Sequence, residues 1–503
     1  MPDGGSIAWH GGRVFTGSRY AEALLISDGR VEQVGTDDEV RRETPAGVER
    51  RDLAGRVIVP GLIDPHLHWV ESTLARTGVN LRGSRSLEEI HERVGRVRAQ
   101  GAARPMVGSG WDQELLAEHR FPTRSDLDRM EPDRPLVLFR ICQHVAVANS
   151  SALDAMHVDP STPSPAGGRV DRDSGGEPTG VLVDNALRLV EPITEAAFQS
   201  DAPAALAFLS ALAARGLTAI GTMRVRSAEL AVMGQAATVG GLPLGIRAYV
   251  GPELLSEISR SNERLRGSSA HVAGIKLVLD GALGPRTAWL EAPYADRSEE
   301  SGLSLLPKEQ AIPILRAAAD DHLQVALHAI GDRALRQAIE LAERTEATVR
   351  IEHASVVPPL LEERLVHLRA PVVIQPGFLA SDTWLEARLG RERAAWAYPF
   401  RRLLELGVPL AASSDAPVES YDPWEGLRIL TDSVGLAPEA ALYLYTGAAA
   451  AALGEPARGE LRPGSPADLV VLNAHDVGAA IRTHGPVAAV FHAGRPVAPE
   501  GAK

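Results

Sequence analysis

Two histidines two residues apart, His66 and His68, follow a strand-like run at 57–63. Successive side chains of a strand point to opposite faces, so residues i and i+2 share one. Two imidazoles placed this way can converge on one metal ion, and neutral imidazole is the commonest side-chain ligand. A chance, exposed His-x-His is the bland alternative, so the rest of the chain has to decide.

Lysine usage supplies the next clue. The chain has only three lysines, Lys276, Lys308 and Lys503, and every other basic side chain is arginine. Lys276 lies inside the apolar run Val272-Ala273-Gly274-Ile275-Lys276-Leu277-Val278-Leu279. Burying an unpaired ammonium costs several kcal/mol, and lysine, unlike arginine, can shed its proton there. A neutral buried amine can take up carbon dioxide as a carbamate, whose two oxygens can bridge two metal ions. The competing reading pairs Lys276 with Asp280 or lets it snorkel to solvent.

Other ligand types end their own strand-like runs: His328 after 323–327, His353 after 348–352 and Asp415 after 408–414. Helical stretches, such as 333–344 and 360–368, lie between them. Strands alternating with helices imply βαβ units and a parallel sheet. Eight such strands are expected, near 57–63, 217–222, 245–250, 273–279, 324–327, 349–352, 371–375 and 408–412. That count predicts an α/β fold, a (β/α)8 TIM-type barrel, which builds its site at the C-terminal ends of the strands. Every candidate ligand falls at or near such an end.

The order His-x-His, Lys, His, His, Asp resembles the metal-dependent amidohydrolase superfamily. Finer motifs are similar to its N-substituted formamide deformylase (YtcJ-like) branch: Gly108-Ser109-Gly110-Trp111-Asp112, Pro122-Thr123-Arg124-Ser125-Asp126, Asp280-Gly281-Ala282-Leu283-Gly284-Pro285-Arg286, His328-Ala329-Ile330-Gly331-Asp332 and Ser414-Asp415-Ala416-Pro417. The similarity spans nearly the whole chain. One departure is Cys142-Gln143, before His144, where the family more often carries Asp-Gly.

This resemblance implies a metal-dependent hydrolase of carbon–nitrogen bonds in a small amide-type molecule. His66, His68 and Asp415 would hold one divalent ion and His328 and His353 a second, with carbamylated Lys276 between them. Zn²⁺ suits imidazole and carboxylate, although Mn²⁺, Fe²⁺ and Co²⁺ share those ligands. Asp415 is the expected proton carrier, and His144 the expected hydrogen-bond donor to the carbonyl oxygen or oxyanion. Trp111, as an apolar wall, and Arg286, as a carboxylate receptor, join His144 as candidate substrate contacts. Asp332 and Glu352 read as supporting residues rather than ligands. A mononuclear deaminase or deacylase on the same barrel is the alternative. Adenosine-type deaminases carry Glu three residues after a strand-end His, whereas Gly331 stands there after His328. A barrel that binds metal or ligand without turnover is a further alternative. No Gly-x-Ser-x-Gly elbow or full Gly-x-Gly-x-x-Gly loop supports serine-hydrolase or dinucleotide chemistry.

Three regions are expected within the 503 residues. Short strands before residue 57 and after 418 are too few to stand alone. Residues 1–56 and 418–503 are therefore expected to build one small β-sandwich beside a 57–417 barrel, 418–503 also supplying the last barrel helices. The span from about 70 to 214 is far too long for a βα connection and reads as an inserted subdomain, whose 161–176 loop is a candidate lid or an inert surface loop. The net charge of −13 argues against nucleic-acid and anionic-membrane surfaces. A single cysteine excludes an intrachain disulfide and fits a reducing compartment. With neither a signal-peptide pattern nor a run long enough to span a bilayer, a cytoplasmic protein is expected. A homo-oligomer is left open.

Overall fold

The computed structural model describes residues 5–101, 105–199, 201–239 and 241–498. Its central sheet has eight strands: β1 (Leu62–Leu67), β2 (Leu217–Val225), β3 (Gly245–Val250), β4 (Ala270–Val278), β5 (Gln324–Ala329), β6 (Val349–His353), β7 (Val372–Ile374) and β8 (Leu410–Ala412). They neighbour one another in sequence order, every hydrogen-bonded pair parallel. Two backbone bonds join the ends of the sheet, Asp415 N–H to His66 O (2.8 Å) and His68 N–H to Ala416 O (2.7 Å). The barrel thus closes at the residues singled out as ligands. All of β1, β3, β6, β7 and β8 is buried, as expected of strands covered on both faces. Outside them, helix Asp332–Arg344 buries Leu335, Ala338, Ile339 and Leu341 on one apolar stripe.

The expected first strand divides in two. Val57–Pro60 pairs with Arg13–Phe15 and Leu469–Leu472 outside the barrel, and β1 begins only at Leu62. The break falls at Pro60-Gly61. Proline donates no ladder bond, and Gly61 passes so close to β2 that a Cβ there would lie 2.2 Å from Thr218 Oγ1.

Both chain ends share one sandwich. A six-stranded sheet takes strands from 13–15, 20–21, 57–60, 469–472, 487–492 and 495–498, and a four-stranded sheet takes the rest of the N-terminal strands. Trp9 meets Phe491 edge-on in the core between them, with ring centroids 5.2 Å apart.

The span between β1 and β2 folds as an insert around a six-stranded sheet with its own core of Val79, Ile90, Trp111, Leu127, Leu138 and Val147. Part of the proposed lid loop is strand Gly168–Arg172, paired with Pro178–Asp184. No residue of 161–176 lines the central cavity. Among the described residues no helix is long and apolar enough to cross a membrane.

Candidate metal centre

The rim at the C-terminal ends of the strands gathers the ligand types. His66 ends β1 with its ring wholly buried. Its Nδ1 lies 2.5 Å from Glu352 Oε2, a carboxylate fixed in turn by Arg350 through Nε (2.5 Å) and Nη2 (3.1 Å). Burial alone would raise the Glu352 carboxyl, but the Arg350 guanidinium holds it well below the usual range. An ionised Glu352 only accepts, so Nδ1 is the donor and Nε2 is the ring nitrogen turned towards the centre. That Nε2 faces Asp415 Oδ1 at 3.2 Å, and His68 Nε2 reaches the same oxygen at 3.2 Å.

His353 and His328 complete the ring. His353 ends β6 with φ 73°, a left-handed turn that also occurs at Asp415 (φ 54°). Such backbone is costly for residues other than glycine and clusters at functional sites. Gln375, immediately after β7, accepts from His353 Nδ1 at 2.8 Å and is itself held by Ser413 Oγ at 2.9 Å. His328 Nε2 donates to Gly281 O at 3.1 Å. Burial, aided by neighbouring cationic groups, pushes His328 well below the ordinary imidazole value. Burial likewise takes His353 down to about 3. Both rings are therefore neutral, with one nitrogen each left for a cation.

Lys276 projects from β4 into this group and is only 3% exposed. Asp280 does not partner it. That carboxylate is turned to the backbone N–H groups of Trp289, Ile330 and Gly331, 2.8–3.0 Å away. Among the described residues Lys276 Nζ has no hydrogen-bond partner, and neither do His66 Nε2 or Asp415 Oδ1. Burial lowers the Lys276 amine to about 8, so this amine sheds its proton more readily than an exposed lysine. Buried polar atoms are normally paired, and the orphaned His66 imidazole nitrogen and Asp415 carboxylate oxygen on one rim fit a cationic partner. Ligand atoms of His66, His353 and Asp415 lie within 4.8 Å of one another, a spacing that a divalent ion can span.

The centre opens into a cavity of about 570 Å³ lined by His68, His144, Lys276, His328, His353 and Asp415, with walls from the insert. His144 reaches it from the insert, its ring 5.2 Å from that of His328. Two other expected contacts do not reach it. Trp111 is fully buried in the insert core, its Nε1 donating to Leu138 O (2.9 Å) and its ring against Phe121. Gly108-Ser109-Gly110-Trp111 is strand rather than loop, so the indole points into the sheet's own packing. Arg286 is spent on Asp296 through Nε (3.1 Å) and Nη2 (2.7 Å), outside the cavity. Asp332 accepts from Glu291 N–H (2.9 Å) and touches no ligand candidate. Sequence reading missed Gln375 because an amide is not a ligand type, although it follows β7 as the histidines follow their strands. It also missed Phe378, in the short helix Pro376–Ser381, whose ring stacks on His353 at 6.1 Å and 19°, since a lone aromatic carries no spacing signal.

Comparison with known proteins agrees with this geometry. The amidohydrolase family model matches residues 49–498. YtcJ of Bacillus subtilis is 30% identical over 500 residues, covering 92% of this chain and 94% of its own. N-substituted formamide deformylase of Arthrobacter pascens is 26% identical over 490 residues, with 90% of each chain covered. Among solved structures, an uncharacterized metal-dependent hydrolase from Pyrococcus horikoshii superposes with a TM-score of 0.81 at 31% identity, over 95% of this chain and 99% of that one. This chain belongs to the amidohydrolase family, in the branch that includes YtcJ and N-substituted formamide deformylase.

Proposed function

We propose that the protein hydrolyses a carbon–nitrogen bond of a small amide-type molecule at a centre for two Zn²⁺ ions bridged by carbamylated Lys276. His66, His68 and Asp415 would hold one ion, and His328 and His353 the other. The observation that carries this reading is the unpartnered Lys276 amine, buried among imidazoles and Asp415. In carbamate formation the neutral Nζ bonds to the carbon of carbon dioxide and releases a proton, so the buried group becomes an anion able to face cations on both sides. When bound, the ions supply Lewis-acid polarisation of the substrate carbonyl and acidify water to a nucleophile at neutral pH.

The remaining work falls to the chain. Asp415 Oδ1, unpartnered and next to two imidazole Nε2 atoms, accepts a proton from the attacking water and returns it to the leaving nitrogen. Glu352 and Gln375 hold the His66 and His353 rings in one tautomer and orientation. His144 meets the substrate oxygen from the insert side, and the insert keeps bulk water from the rim. Because one relative is named for N-substituted formamides, these head the substrate panel.

A second reading, a one-ion centre, draws on the compact His66, His353 and Asp415 group. Elemental analysis of chelator-free wild type and Lys276→Ala separates the two. About two ions per chain, falling in the variant, with turnover in an amide panel, supports the bridged centre. One ion, unchanged in the variant, overturns the bridge and puts the mononuclear deaminase or deacylase first.

A further inference from the structure

His144 does not stand alone on its sheet. Strands Val145–Ala148 and Pro178–Asp184 run antiparallel with Val145 opposite Val183, so one step further places His144 opposite Asp184. Cross-strand neighbours in register share a face. The backbone confirms the pairing, since Asp184 N–H donates to His144 O at 2.8 Å. The side chains meet as well, with His144 Nδ1 2.7 Å from Asp184 Oδ1. That contact leaves Nε2 as the ring nitrogen free to meet a substrate in the cavity that His144 and Asp184 both line.

Asp184 is expensive to keep in this place. Its side chain has no solvent exposure, and its only ion-pair partner among the described residues is His144. Its second oxygen, Oδ2, is buried without a hydrogen-bond partner. The backbone sits at φ 50°, ψ −119°, a conformation that an L-residue adopts only under constraint. The barrel also presses on it: a Cβ on Gly281 would lie 2.9 Å from Asp184 Oδ1 and 1.9 Å from Thr287 Oγ1. The same Gly281 carries the carbonyl that accepts from His328. A buried carboxylate with one oxygen unpartnered, on strained backbone between the insert and the rim, is poor packing but a rigid support for an imidazole.

We infer that Asp184 is a positioning residue of the reaction, which locks the His144 ring by its Nδ1 edge so that Nε2 faces the substrate beside the metal centre. The role rests on the amide-hydrolase reading only in naming the reaction. Asparagine at 184 keeps an oxygen able to accept from Nδ1–H, whereas alanine removes it.

The test is steady-state kinetics on metal-loaded wild type, Asp184→Ala, Asp184→Asn, His144→Ala and the double variant Asp184→Ala/His144→Ala, with an amide that wild type cleaves. Asp184→Ala is expected to lower kcat by roughly tenfold to a hundredfold with KM changed by less than about threefold, the scale of loss when an orienting partner is removed. Asp184→Asn should recover most of that loss. In the His144→Ala background the Asp184→Ala step should cost nothing more, because a residue acting through His144 has nothing left to position. A kcat for Asp184→Ala within twofold of wild type overturns the assignment, as do losses that multiply in the double variant. Should wild type cleave nothing in the panel, the proposed reaction fails and Asp184 is judged by crystallography instead. A His144 ring that rotates away in Asp184→Ala then supports the positioning role, and an unmoved ring overturns it.

Discussion

Lys276 and Lys308 carry the same side chain in surroundings that differ in almost every respect. Lys308 opens the helix Lys308–Asp320 on the outside of the barrel and holds Glu340 at 2.7 Å, with about a third of each side chain in water. Lys276 is enclosed inside β4 with no hydrogen-bond partner among the described residues, and burial takes its amine down to about 8. The carboxylate that could have paired with it, Glu352, is already committed to Arg350 and His66. Burial alone does not leave a lysine amine unpartnered. Glu352 must also be committed elsewhere, so that it does not hold the amine's proton.

The comparison breaks most visibly if each lysine is replaced in turn. Lys276→Arg keeps a cation and much of the length but can neither lose its proton nor form a carbamate. If the proposed carbamate bridge holds, amide turnover should fall by on the order of a thousandfold or more. Kinetics and metal content measured on the same preparation check it. Activity within tenfold of wild type would remove Lys276 from the chemistry.

Glu352→Ala attacks the device that keeps Lys276 unpaired. It leaves Arg350, fully buried, without its carboxylate, a loss of about 3–5 kcal/mol by the usual cost of breaking a buried pair. It also frees the His66 ring, which should weaken metal binding by roughly tenfold to a hundredfold. Denaturant unfolding and metal titration read these separately. Stability within 1 kcal/mol of wild type would mean that Arg350 finds another acceptor.

How far these features were legible in the sequence follows from what each residue type announces. The convergence of His66, Lys276, His328, His353 and Asp415 on one rim was legible because a barrel brings its strand ends together, and each of these residues lies at or near the end of a strand-like run. His144 came through as a histidine after a strand-like run in the insert. Trp111 and Arg286 were misplaced for a shared reason: flanking sequence reveals that a side chain is large or charged, not which way its strand or loop turns it. Whether an indole fills a core or a guanidinium meets Asp296 is settled by how the chain folds back on itself, bringing Asp296 to Arg286 from ten residues on and Leu138 to Trp111 from twenty-seven on. Asp184 was invisible on the same grounds, since its tie to His144 depends on strand register over forty residues. The break at Pro60-Gly61 was present in the residues, but a continuous apolar run of Val57–Ile63 concealed two strands in different sheets.

A pH series sharpens the contrast in stability. In metal-free protein the folded-state value of Lys276, about 8, lies below the ordinary lysine value of about 10.5. Between those values the unfolded chain binds more protons than the folded one, so wild-type stability rises with pH there. Below about pH 8 both states are protonated and the full cost of the buried ammonium remains, on the order of 3 kcal/mol for a shift of this size. Lys276→Met should therefore stabilise metal-free protein at pH 7 while abolishing turnover. Its advantage should shrink as pH rises from about 8 towards 10.5. Urea unfolding of both proteins in chelator across that range checks the sign, and an advantage that does not change with pH would show that it comes from packing.

The smallest effect is expected at Lys308, and its smallness is the informative part. Exposed ion pairs contribute about 0–1 kcal/mol and are screened by salt. The ammonium also sits in the first turn of its helix, where the helix dipole disfavours positive charge and offsets part of the gain. Lys308→Ala should cost less than about 1 kcal/mol at low ionic strength, less still in high salt, and leave amide turnover within twofold of wild type. Unfolding curves at the two salt concentrations check this. A loss above about 2 kcal/mol that survives salt would mean that the Lys308–Glu340 pair is held away from water, and solvent access would no longer separate the two lysines.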